Sequence, residues 1–386
     1  MTREPRCVNA RTISACGVPR RRARLILSCL LLPLAAAPVR AQHLFRDTSA
    51  LAITIRADLP SLFNDRDTTR RREYPGALTV TNDQGRSIEL PVMLSTRPHF
   101  KRREETCTVP PIRVRFHRQY TRGTPFEGHL VLRLVTHCRP RREYESHVLE
   151  EYLVYRMFNV VTDTSYRVRL ARVGWTSRRD PDHRDERWGF FIEQDNALAT
   201  RVRGSLAPAT KSTLRTIDTA NVATVGLFEY MIGNGEWDLA KLRNVRLLAF
   251  RRAKTAAVPF NFDYSGVVGA RYAVPAAAGI EVESRREYRG PCITLAAAKP
   301  IVERLRTARE GFRAEYLAVP VLEHRRQRAL SYVDEFFEIA DDSARFDAAL
   351  QYDAVYRFRL GVARRVAGAD LVAAGFTGFL TLGTTF

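Results

Sequence analysis

Apolar and polar residues alternate through the first half of the chain with the period of β structure. From residue 51 to about 99 the text reads as strands, and Ala77-Leu78-Thr79-Val80-Thr81 and Ser87-Ile88-Glu89-Leu90-Pro91-Val92 flank Asn82-Asp83-Gln84-Gly85. Two alternating runs around such turn residues predict a hairpin. Further strands are expected over 112–116 and 130–135. Tyr144, Val148, Tyr152, Tyr155 and Phe158 then recur at helical spacing, with Glu145, Glu150, Glu151 and Arg156 on other faces, which predicts an amphipathic helix. Strands resume over 166–173 and 188–192. Beyond Asp195 the pattern becomes mainly helical, over 219–231, 296–310 and 319–340, interrupted by β-like text over 245–250 and 257–268. No internal repeat or low-complexity linker divides the chain.

The first residues carry a different pattern. Arg20, Arg21, Arg22 and Arg24 precede an apolar run over 25–37, and Val39-Arg40-Ala41 closes it with small residues at the two positions a signal peptidase reads. This predicts a signal peptide over 1–41 and a mature chain starting at Gln42. The run is shorter than the roughly 20 residues a spanning helix needs, and Pro33 and Pro38 interrupt it. Cys29 lies too early in it for a lipid attachment site.

Export changes the reading of charge and cysteines. The formal charge is +20, but the leader holds eight arginines and one glutamate; removing its net +7 leaves +13. That charge is almost all arginine and is spread along the chain, with no stripe of basic and aromatic residues, so no specific nucleic acid is expected. Apolar residues make up 45% of the chain, enough for one sizeable core or two adjoining lobes. Cys107, Cys138 and Cys292 remain after the leader. Two readings stay open for them: a Cys107–Cys138 bridge, worth about 3 kcal/mol for a loop of about 30 residues, or three buried thiols. No CxxC or HExxH spacing supports a zinc site.

The candidate chemistry lies in the second half. Phe228-Glu229-Tyr230-Met231-Ile232-Gly233-Asn234-Gly235-Glu236-Trp237 is followed by Leu242-Arg243-Asn244-Val245 and by Val258-Pro259-Phe260-Asn261-Phe262-Asp263-Tyr264-Ser265-Gly266. A carboxylate past a helix end, an asparagine eight residues on and an aspartate after an apolar strand suit a hard cation beside phosphate oxygens. Taken singly, each residue reads as local structure: Asn234 and Gly235 as a turn, Asn244 as a strand cap and Asp263 as the start of an Asx turn.

Together these runs resemble the atypical kinases of the spore-coat protein H type and their secreted bacterial relatives. In that family a helix leads into a Gly-Asn-x-Asp-Trp turn, then an Asn, then a Pro-x-Asp-Phe-Asp-x-Ser-Gly loop. Upstream, 107–115, Phe126-Glu127-Gly128, and 132–138 resemble the family's first lobe, and Gly189-Phe190-Phe191-Ile192-Glu193 resembles the strand joining the lobes. The resemblance implies an α+β, bilobal protein-kinase-like fold: a β-rich segment over 42–100, an N-lobe with one long helix over 101–194, a mainly helical C-lobe over 195–350, and a tail over 351–386 that matches nothing. It also implies roles. Asn244 and Asp263 would hold magnesium or manganese, and Glu236 would stand where the catalytic Asp is expected, one methylene longer. Arg133 would replace the phosphate-contacting Lys, with Glu151, or alternatively Glu150, as its partner. The strand ending at Glu193 would receive the adenine of ATP.

The expected activity is phosphoryl transfer from ATP to a hydroxyl of a secreted or envelope protein, in the periplasm or outside the cell. Glu236 and Arg133 depart from the family pattern, so a catalytically weak or inactive pseudokinase, acting as a binding or scaffolding protein, is the rival. A basic protein held on envelope polyanions is a third class. No transmembrane span is expected in the mature chain. His137 and His183 have no Cys or Ser at a spacing that makes a triad.

Overall fold

One strand decides the architecture. β1 (Leu51–Ala57) pairs antiparallel with β2 (Tyr74–Thr81) on one side and parallel with β6 (Val168–Ser177) on the other. With β3 (Ser87–Thr96), β4 (Ile112–Phe116), β5 (Val131–Val135) and β7 (Asp180–Ile192), this closes a barrel of order β1-β2-β3-β4-β5-β7-β6. The structure, a computed structural model, describes residues 44–67, 70–82, 84–97, 107–178, 180–208, 216–273, 286–291 and 293–351. The expected signal peptide, Cys292, the His183 side chain and the tail beyond 351 lie outside the described residues.

The predicted hairpin is present with its turn chemistry. Thr81 pairs with Ser87, the Asn82 carboxamide oxygen accepts the backbone N–H groups of Gln84 at 3.1 Å and Arg86 at 2.8 Å, and Gly85 takes φ +75°. Alternation then fills the barrel: Ile53, Ile55, Leu78, Leu94, Val114 and Leu132 point into one apolar core. Outside the strands, Cys107 and Cys138 form a disulfide with Cα atoms 4.6 Å apart, which settles the question the sequence left open.

Closure overturns the bilobal kinase-like expectation. The segment over 42–100 is not an addition before an N-lobe: β1, β2 and β3 are staves of the same barrel as β4 to β7. Nor is the second half a mainly helical lobe with its own core. It holds a sheet of β8 (Ser205–Ala207), β9 (Val245–Phe250) and β10 (Ala253–Pro259), in the order β10-β9-β8. One apolar cluster runs from Val135 and Phe190 of the barrel wall through to Leu350. The physical reason is that the barrel's outer wall is itself apolar, so the helices cover it instead of forming a separate body.

The helix that joins the two is α2 (Arg142–Val161), following the single turn α1 (Leu59–Phe63). It packs on β7 and on α6 (Arg309–Leu317). The predicted amphipathic pattern fails here in one respect: Glu150 and Glu151, expected on polar faces, are buried. Glu150 is met by Arg325 at 2.5 Å and Arg328 at 3.5 Å, both from α7 (Glu323–Asp341). Buried carboxylates persist where such partners exist. After α3 (Asp195–Arg201), helix α4 (Thr219–Ile232) is capped by the Asp218 carboxylate, which accepts from Ala220 and Asn221, and ends on Gly233 at φ +67°. The helix expected over 296–310 breaks at Ala308 into α5 (Leu295–Thr307) and α6; α8 (Ser343–Gln351) follows α7.

Candidate functional site

The three stretches singled out in the sequence meet through their backbones. Gly233 ends α4, and its carbonyl accepts the N–H of Gly266 at 3.0 Å while Ile232 accepts that of Val267 at 3.1 Å. The Asn244 carbonyl accepts the Phe260 N–H at 3.0 Å. From α7, Arg328 donates to the carbonyls of Gly266 at 3.0 Å and Val267 at 2.7 Å, and the Tyr332 hydroxyl packs where a Cβ on Gly233 or Gly266 would stand. The two glycines are therefore required for close approach, and Gly233 also for its positive φ.

Side chains continue the network. Asn244, itself at φ +53°, donates from its carboxamide to the Glu236 carbonyl at 3.0 Å, and its oxygen faces the Asn261 carboxamide at 3.4 Å. The Asn261 N–H donates to the Tyr155 hydroxyl of α2 at 2.8 Å. Asn261 and Glu151 line one small pocket with Arg97, Val135 and Thr136. Arg97 follows directly after β3; burial first, then the neighbouring Arg133 charge, push its guanidinium down to about 10, while Glu151 and Asp195 oppose the shift. Asp263 is fully buried. Together with Glu151 it adds to the burial that raises the Tyr272 hydroxyl well above its usual range.

Arg133 does not face this pocket's carboxylate as expected. Its guanidinium donates to the Glu193 carbonyl at 2.8 Å and pairs with Asp195 at 3.2 Å, lying over the Tyr166 ring at 5.0 Å and the Phe260 ring at 5.9 Å. Asp195 also accepts from the Tyr166 hydroxyl at 2.9 Å and from Arg246 at 3.0 Å. Burial works to raise the Asp195 carboxyl, but Arg133 foremost, with Arg246 and Tyr166, holds it below the usual carboxylate range. Glu193 is occupied too: its carboxylate is held by Arg201 at 2.8 Å and 2.9 Å, and its N–H donates to the Arg167 carbonyl. Glu236 stands on the rim, its carboxylate 43% exposed and 3.6 Å from Arg243. Beneath it the fully buried Glu229 accepts from the Asn234 carboxamide at 2.9 Å, and burial pushes its carboxyl up to about 8.

Glu151, Asn244 and Asp263 thus come into one connected network, with Glu236 at its edge through its backbone. Arg133 and Glu193 belong to an adjoining cluster around Asp195. Sequence reasoning missed Arg97, Asn261 and Asp195. Asn261 lay inside the quoted 258–266 run, where a non-glycine residue at φ +68° has no signature beyond asparagine's tolerance of that region. Arg97 and Asp195 had no local signal.

The Asn244 carboxamide is engaged by Glu236 and Asn261, and the Asp263 carboxylate is closed in. Among the described residues no group of three His, Cys, Asp or Glu side chains gathers as metal ligands. His137 is also buried, which pushes it down to about 4, beside the Thr136 hydroxyl at 3.1 Å. Among the described residues no helix is long and apolar enough to cross a membrane. No protein-family profile and no curated protein matches the chain.

Proposed function

We propose that the chain binds the polyphosphate of a nucleotide across the mouth of the pocket beside Arg97, whose interior of about 20 Å³ takes a single phosphate oxygen, and that it acts as a binding or scaffolding protein with weak turnover or none. The observation that carries this reading is Arg97. Its guanidinium lines the pocket between Glu151 and Asn261 and makes no hydrogen bond with another described residue. A planar guanidinium in a partly desolvated pocket is suited to phosphate oxygens, and the nearby Arg133 adds positive potential. Magnesium or manganese would arrive on the nucleotide, since phosphate oxygens and water supply most of its preferred ligands. The likeness to the spore-coat protein H kinases enters here through the site residues alone.

Phosphoryl transfer to a hydroxyl of a secreted or envelope protein is the second reading, favoured by Glu236. Its exposed pairing with Arg243 is of the kind that contributes little, so the carboxylate is free to swing toward a substrate. An exported location, periplasmic or extracellular, belongs to both readings. The Cys107–Cys138 disulfide supports it, because such bridges persist in oxidising compartments.

The test is a thermal shift with ATP and magnesium or manganese, followed by labelling with γ-phosphate-labelled ATP. Binding without transfer raises the melting temperature in the native chain but not in Arg97→Ala, and incorporates no label. Label that disappears in Asp263→Ala establishes the second reading instead. No shift in the native chain removes both.

A further inference from the structure

A second cavity, of about 510 Å³, opens at the C-terminal end of α2 and shares no lining residue with the pocket around Arg97. Its volume falls in the range that takes small organic ligands. Four guanidiniums line it, those of Arg46, Arg156, Arg167 and Arg201, against two carboxylates, Asp163 and Glu315. Glu193 lies behind the wall as the partner of Arg201, so positive charge exceeds negative by one.

Three of the four cations are already engaged, Arg46 among them. Arg156 is clasped by Glu315 through two bonds, at 2.9 Å and 2.7 Å. Arg201 is clasped by Glu193 at 2.9 Å and 2.8 Å and also donates to the carbonyls of Asp163 and Ser165. Arg167 differs. Its backbone N–H is bonded to Glu193 at 3.1 Å, but its guanidinium makes no hydrogen bond or ion pair with any described residue. Burial, then Arg201, lower its pKa against the opposing pull of Glu193 and Asp163, with Arg46 adding to the crowding of like charge. A cluster of like charges held at a cavity is unfavourable until an anion enters it.

The remaining wall is apolar. Phe45 and Val160 line the same cavity, and Val160 is 41% exposed, an uncovered β-branched side chain beside the cationic end. A ligand that answers both walls has a compact anionic group and a small organic body.

We propose that this cavity binds a small phosphate monoester, its phosphate on Arg167 and its organic part against Val160 and Phe45. The guanidinium fork matches phosphate oxygens two at a time. Phosphate is preferred to paired carboxylates because a single guanidinium, that of Arg167, is left to receive the anion, and one compact dianion answers it better than two separated carboxylates.

Calorimetry with phenyl phosphate on the full chain tests it. Binding is expected, with inorganic phosphate competing and affinity falling as salt rises. Arg167→Ala should weaken it roughly 10- to 100-fold, the range of a charge-assisted hydrogen bond, and Val160→Glu, at an exposed position, should weaken it by at least about tenfold by placing a carboxylate on the wall. Arg97→Ala should leave it unchanged, which separates this site from the nucleotide pocket. No binding to the native chain, undiminished binding in either cavity variant, or equal or tighter binding of benzene-1,2-dicarboxylate overturns the proposal.

Discussion

Arg133 pairs with Asp195 at 3.2 Å, from the middle of strand β5 to the first residue of helix α3, and so ties the barrel wall to the start of the second half. Arg246 from β9 reaches the same carboxylate at 3.0 Å. One aspartate therefore bridges two guanidiniums that also share the Phe260 ring, and the group keeps one net positive charge.

Asp195→Ala should accordingly destabilise the fold by about 2–3 kcal/mol, below the full loss for a buried pair because both partners retain some solvent. The denaturation midpoint measures it. A cycle with Arg133→Ala should return a coupling energy clearly different from zero; additive losses would show that the pair is incidental.

Glu229 predicts a pH dependence. Its folded pKa of about 8 lies above the ordinary 4.5, so the folded state holds a proton that the unfolded state releases. Stability from this group is complete below about pH 4.5 and declines as pH rises toward about 8, by at most about 1.4 kcal/mol per unit. Glu229→Gln keeps a neutral partner for Asn234 and should flatten this part of the stability profile. Thermal melts across pH 5 to about 9 compare the two; parallel curves would reject the assignment.

Glu150 sits at zero exposure between Arg325 and Arg328. Glu150→Ala removes the carboxylate that Arg325 and Arg328 share and leaves them backbone carbonyls, the His147 ring and partial solvent, so it should lose about 3 kcal/mol. A loss under about 1 kcal/mol in chemical denaturation would mean that α7 moves away to solvate them.

The Cys107–Cys138 bridge joins residues separated by 31 positions. Its removal, by reductant or by paired substitution to serine, should lower stability by about 3–4 kcal/mol. Equal unfolding midpoints with and without reductant would contradict this. The bridge also holds the segment that leads into Val109 and Pro111 on the wall of the Arg97 pocket, so reduction should weaken the proposed nucleotide binding as well.

What the chain determined by itself was local. Alternation marked the strands that became β2 to β5, turn residues marked the Asn82 hairpin, and Gly233 marked the end of α4, because each rests on backbone geometry and spacing within a few residues. The 228–266 runs were likewise legible as a place where chemistry gathers. Tertiary structure alone decided that the barrel closes, since β1 and β6 are more than a hundred residues apart in sequence and their pairing leaves no local pattern. It also decided which charges meet. Arg133 belongs to Asp195 and Glu150 to α7, because a buried charge pairs with the countercharge nearest in space, and that distance is set only once the elements have packed; the same packing brings Arg97 to the pocket that Glu151 lines.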